Sequence, residues 1–283
     1  MSRAAADRRP PAPPAPKSRP PARPEAKTPA AGGKRRAIFP APETRGPKVV
    51  VGALWAVAAI GALTVGQVPF ALVMAAVAGA AAGQAAWSWR HASPPREPVA
   101  PVALTAATVA VLGAAVGPVG VIVTSVLALV GGAAWAWAAT GGKVWDVALT
   151  LLCAAVPAGA VVGPVLLRGS SLEVPFILMA YALLYDAGAW VMGSGSRHRW
   201  VGPLAGMVCV VPVTMLVAAL GLQFRGAAAW ELGGLAAVLA PLGPAVATLV
   251  LGDRGGSAPA LRRLDSLVLL GPVWAAVAAH LRV

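Results

Sequence analysis

From Val49 to Leu281 the sequence is a succession of apolar runs, separated by short segments that hold most of the charge outside the first 48 residues. Crossing ~30 Å of hydrocarbon takes about 20 mostly apolar helical residues, and inside lipid every backbone polar group must be satisfied internally. On that rule the chain parses into nine candidate spans, at 49–65, 69–89, 99–117, 118–139, 144–167, 174–193, 201–222, 231–251 and 265–281. Gly117-Pro118 alone separates the third from the fourth. The expectation is therefore an all-α fold, a polytopic transmembrane helical bundle of about nine helices. With 58% hydrophobic and 12% charged residues and a mean hydropathy of +0.74, the composition lies outside that of soluble globular domains. Prolines at 157, 164, 175, 212, 241, 244 and 272 are expected to kink or end helices.

The net charge of +13 does not point to a nucleic-acid partner, because 12 of the 23 Lys and Arg residues fall within residues 1–48. The same 48 residues hold 12 of the 27 prolines, too little apolar surface to offset the entropy of ordering, so they read as a disordered basic tail. The first apolar run starts too late for a secretory signal peptide. Two readings of the tail stand: a topology signal and solvated linker, or a polybasic segment in which Lys34-Arg35-Arg36, Arg45 and Lys48 lie on anionic lipid headgroups. Beyond the tail, a cytoplasmic N-terminus puts eight basic residues inside (Arg90, Arg96, Lys143, Arg197, Arg199, Arg254, Arg262 and Arg263) against Arg168, Arg225 and Arg282 outside. The asymmetry predicts that orientation, with an external C-terminus.

Glycines at four-residue spacing (79 and 83, 113 and 117, 159 and 163, 202 and 206) allow close helix approach. Packing within one bundle accounts for them, and a homo-oligomer is left open. Cys153 and Cys209 sit in separate apolar runs and read as small buried hydrophobes. His91, His198 and His280 have no ligand spacing for zinc. Asp146, at the start of its helix after Lys143, reads as a residue of a helix cap, with an inward-facing role as the alternative.

The chemistry-bearing residues form two groups. Asp186, in Tyr185-Asp186-Ala187-Gly188-Ala189-Trp190, lies inside an apolar run, where an ionisable group marks a functional site or reaches water at the interface. Asp253 and Asp265 bracket a loop with Arg254, Arg262 and Arg263. Carboxylates hold Mg²⁺ and arginines pair with phosphate oxygens, whereas the plain alternative is a positive-inside loop whose acids balance its arginines.

At these stretches the chain resembles the CDP-diacylglycerol synthases, or phosphatidate cytidylyltransferases. Asp186-Ala187-Gly188-Ala189-Trp190 is similar to that family's Asp-x-Gly-Ala-Tyr stretch, and Leu251-Gly252-Asp253 with Ser257 to its Gly-Asp…Ser element. Leu261-Arg262-Arg263-Leu264-Asp265-Ser266-Leu267 is similar to the Leu-Asp-Arg-Leu-Asp-Ser-Leu signature, with Arg262 in place of an acid. The resemblance covers roughly 150–283. It implies transfer of a cytidylyl group from CTP to phosphatidate with Mg²⁺ as cofactor. Asp186 and Asp265 would then be catalytic, Asp186, Asp253 and Asp265 metal-binding, and Arg262 and Arg263 phosphate-binding. The family's Lys-Arg pair, Lys-Asp pair and Pro-Gly-His-Gly-Gly turn are missing, since only Ala258-Pro259-Ala260 separates Ser257 from Leu261. The loop after Trp190 also lacks the family's Lys and Glu. Two expectations follow: an enzyme with a reduced site, or a non-catalytic membrane scaffold or lipid-binding partner that keeps the fold.

Overall fold

A computed structural model describes residues 46–91, 96–194, 196, 198–221, 223–224, 226–251 and 258–281, the side chains of 46–49 and 91 excepted. Apart from the start of the first helix, the expectations for the tail fall outside these residues. Among the described residues every regular element is helical: α1 (Gly46–Val65), α2 (Gln67–Ser88), α3 (Ala100–Gly113), α4 (Pro118–Thr140), α5 (Val144–Ser170), α6 (Glu173–Gly193), α7 (Val201–Leu220), α8 (Ala227–Val250), the single turn α9 (Pro259–Arg262) and α10 (Leu267–Leu281). Short 3₁₀ turns follow α2 and α3.

Six of these helices, α2 and α4 to α8, are long and apolar enough to cross a membrane. The apolar stretches Val50–Val65, Ala100–Val116 and Leu267–Leu281 are shorter. The protein is thus an all-helical membrane protein by the length and apolarity of its helices. Its outer surface agrees: Val119, Ile122, Val126 and Val130 of α4 all point outward, as side chains facing acyl chains would.

Most prolines do not end the helices. α5 runs through Pro157 and Pro164, α7 through Pro212, α8 through Pro241 and Pro244, and α10 through Pro272. Pro175 lies in the first turn of α6, where its missing N–H costs no helical hydrogen bond. The local explanation is clearest at Pro164, which leaves the carbonyl of Ala160 without its helical donor. Gly271 of α10 packs so closely on that carbonyl that a Cβ there would overlap it. In return, a Cβ on Gly163 would come within 2.8 Å of the Gly271 carbonyl oxygen. Two backbones meet here because neither has a side chain in the way, and Cα–H groups face the exposed carbonyls.

Other paired glycines serve the same purpose within the bundle. Gly79 and Gly83 of α2 lie against Thr108 and Leu104 of α3, while Gly202 and Gly206 of α7 lie against Ala189 and Tyr185 of α6. Gly117 and Gly159 are the exceptions, with open space where a Cβ would stand. The core between α6, α7, α8 and α10 is aromatic. Buried Trp274 makes edge-to-face contacts with Tyr181 and Phe224, its ring centroid 6.2 and 5.8 Å from theirs, and its indole N–H donates to the Leu232 carbonyl. The hydroxyls of Tyr181 and Thr214 are hydrogen-bonded at 3.3 Å, so neither polar group is stranded.

Candidate functional site

The segment between α8 and α10 builds one end of the bundle. Leu261, Leu264 and Leu267, spaced one turn apart, are buried and anchor it. Its backbone closes in tight turns, with the N–H of Arg263 donating to Ala260 and that of Leu264 to Leu261, at 3.1 and 2.9 Å. Three other helices hold it in place. The side-chain oxygen of Gln84 on α2 accepts the Ala260 N–H at 3.0 Å. Gly243 of α8 lies under the Asp265 carbonyl, where a Cβ would overlap it. Arg263 reaches across to Gly52 of α1, where a Cβ would collide with its guanidinium. The indole N–H of Trp89 donates to the Val250 carbonyl at 2.9 Å, which satisfies an orphan acceptor at the end of α8.

This packing brings the two sequence stretches together. The Ser266 hydroxyl donates to Oδ2 of Asp186, on α6, at 3.1 Å. Next to it, Asp265 is buried and receives Nη1 of Arg262 on Oδ2 at 3.0 Å. The same Nη1 lies 3.3 Å from Oγ1 of Thr248 on α8. Oδ1 of Asp265 is buried with no hydrogen-bond partner among the described residues. A carboxylate oxygen left so costs several kcal/mol unless something else meets it.

Arg262 is therefore committed to Asp265 and Thr248, which is the charge-balance arrangement, while Arg263 lies partly exposed over α1. Asp253, Arg254 and Ser257 lie outside the described residues. Among the described residues no group of three His, Cys, Asp or Glu could hold a metal ion. Two carboxylates remain. Mg²⁺ commonly takes one or two carboxylates and completes its shell with water and substrate phosphate, and the unpartnered Oδ1 of Asp265 is the oxygen such an ion would meet. The donor set fits a cation shared with a phosphate ligand and does not form a closed protein cage.

Asp146 lies in the first turn of α5 as expected and faces inward, buried, with Oδ1 unpartnered among the described residues. Cys153 and Cys209 are both free thiols. Sequence reasoning gave no part to Gln84, Thr248 or Gly243, although an amide near the end of an apolar helix was a visible signal for Gln84. Arg90, Arg96, Lys143, Arg199, Arg262 and Arg263 belong to this end of the bundle by their places at the ends of α2, α4 and α9 and the starts of α3, α5 and α7. The chain matches no protein-family model, no curated protein and no solved structure.

Proposed function

We propose that the protein is a divergent phosphatidate cytidylyltransferase-like membrane enzyme of phospholipid biosynthesis, with a reduced site at the Asp186–Asp265 end. The observation that carries this reading is the hydrogen bond from Ser266 to Asp186, which joins the two stretches on which the resemblance rests. In the reaction a phosphate oxygen of phosphatidate attacks the α-phosphorus of CTP. A new P–O bond forms, and the bond to the departing pyrophosphate breaks. Mg²⁺ held by Asp186 and Asp265 would neutralise charge building on the phosphates, and the resemblance adds Asp253 to its ligands. The chain's own contribution is positional. Ser266 orients the Asp186 carboxylate, Arg262 fixes one oxygen of Asp265 and leaves the other free, and Arg263 supplies positive charge to phosphate.

The reading takes the chain as nine spans with a cytoplasmic N-terminus and an external C-terminus, so that the site opens to cytoplasmic CTP. The gathering of basic residues at the Asp186 end supports this orientation. A second reading, a non-catalytic lipid-binding scaffold, draws support from Arg262, whose guanidinium is already engaged by Asp265 and Thr248.

The test is CDP-diacylglycerol formation from labelled CTP and phosphatidate in mixed micelles with Mg²⁺. The intact chain should turn over slowly, and Asp186→Asn or Asp265→Asn should each lower the rate about a hundredfold. Product formation unchanged in both variants removes the acids from the mechanism. No product at any Mg²⁺ concentration overturns the enzyme reading in favour of the scaffold.

A further inference from the structure

Gly52, Ala56, Ala59 and Leu63 recur at helical spacing, so they share the face of α1 that turns toward the bundle. Burial falls along that face. Ala59 and Leu63 are wholly buried, whereas Gly52 and Ala56 are half-buried, and no residue from Val50 to Ala58 is buried. Trp55 is the large side chain of this half that rests partly on the core. By contrast α2 and α6, both touched by α1, carry buried residues from Phe70 to Ser88 and from Val174 to Gly188.

The two halves of α1 are held differently. At the second, Arg168 Nε of α5 donates to the Leu63 carbonyl at 2.7 Å, one of the last carbonyls of the helix, and Gly66 alone joins α1 to α2. At the first, the Arg263 guanidinium lies so close to Gly52 that a Cβ there would overlap it. Arg263 is half-buried, and its charge acts on the Asp186 carboxylate of α6. The seam between the first half of α1 and α6 therefore leads from the bilayer to the acidic end.

Segments with few buried contacts open at lower cost than pinned ones. In a bilayer the cost is lower still, because a helix face that leaves its neighbours meets acyl chains as apolar as the side chains it left. We infer that the first half of α1 is a lateral gate, which swings about Leu63 and admits the phosphate of a membrane lipid to Arg263. The inference rests on the proposed reaction only for the choice of phosphatidate as that lipid, and the motion is read without turnover.

Spin-label distances in the full chain test it, with Cys153→Ala and Cys209→Ala removing the native thiols. One pair, Val50→Cys with Leu184→Cys, spans the first half of α1 and α6. A second, Val65→Cys with Leu172→Cys, spans the pinned end, and all four positions are exposed. A tilt of about 15° about Leu63, over roughly 20 Å of helix, carries Val50 by ~5 Å. In phosphatidylcholine nanodiscs, added phosphatidate should shift the first distance by about that much and leave the second unchanged, and Arg263→Gln should abolish the shift. Equal first distances with and without phosphatidate, an equal shift in both pairs, or a shift that survives Arg263→Gln overturns the inference. If Arg263→Gln does not fold, Gly52→Leu decides. Its side chain wedges α1 off the guanidinium, so the first distance should already be shifted in phosphatidylcholine, and an unshifted distance overturns the inference. Displacement without CDP-diacylglycerol formation keeps the gate and removes the reaction, whereas turnover without displacement removes the gate and keeps the reaction.

Discussion

The carbonyl of Ala160 and the bare Cα of Gly271 depend on one another. Pro164 removes the amide that would have bonded that carbonyl, and only a residue without a side chain can approach it so closely. Gly271→Ala should force α5 and α10 apart and cost about 1–3 kcal/mol, read as a lower thermal midpoint in detergent micelles. Gly159→Ala, on the same helix but facing open space, should leave the midpoint unchanged or raise it, since Ala suits a helix better by roughly 0.5–1 kcal/mol. Equal losses in both variants would show that glycine acts here through the backbone generally and not through this contact.

At the scale of elements, the turn that carries Asp265 is held by its neighbours. The buried stripe of Leu261, Leu264 and Leu267 came only with the structure, whereas the Asp186 and Asp265 stretches were legible in the sequence as two polar groups. What the sequence left open was how they touch. The Ser266 hydroxyl reaches Asp186 across 80 positions, and the Ala260 amide reaches Gln84 across 176. Local periodicity reports which face of a helix is buried and carries no information about which distant backbone group a lone amide will meet. Likewise, Arg262 reads equally well as a phosphate ligand or as a counter-charge until Thr248 and Asp265 are found on either side of it. Gln84→Leu leaves the Ala260 N–H unpaired, at a cost of about 1–3 kcal/mol. Hydrogen exchange across 258–266 should accelerate in that variant while exchange in α6 and α7 stays the same. Uniform acceleration would mean that Gln84 supports the whole bundle and not this turn.

Across the whole molecule, the all-helical class and the apolar runs were legible because bilayer thickness imposes a length on each helix. Spanning length was not equally legible: α3 with its 3₁₀ extension and α10 are shorter than the runs that contain them. Basic-residue asymmetry predicts an orientation, and cysteine accessibility in intact cells checks it. Lys143→Cys should react with a membrane-impermeant maleimide only after permeabilisation, and Ser171→Cys, at the other end of α5, should react directly. The reverse pattern sinks the assignment. The contact between Gln84 and Ala260 also imposes a schedule on biosynthesis. At 5–20 residues per second, α2 precedes its partner by roughly ten to thirty seconds. Through that interval its amide sits in the bilayer among incomplete neighbours, so the acidic end can close only after the final helices have left the ribosome. A chain stalled before Ala260 is an unfinished membrane protein with a polar group still waiting, the kind of signal by which quality control could tell it from the completed one.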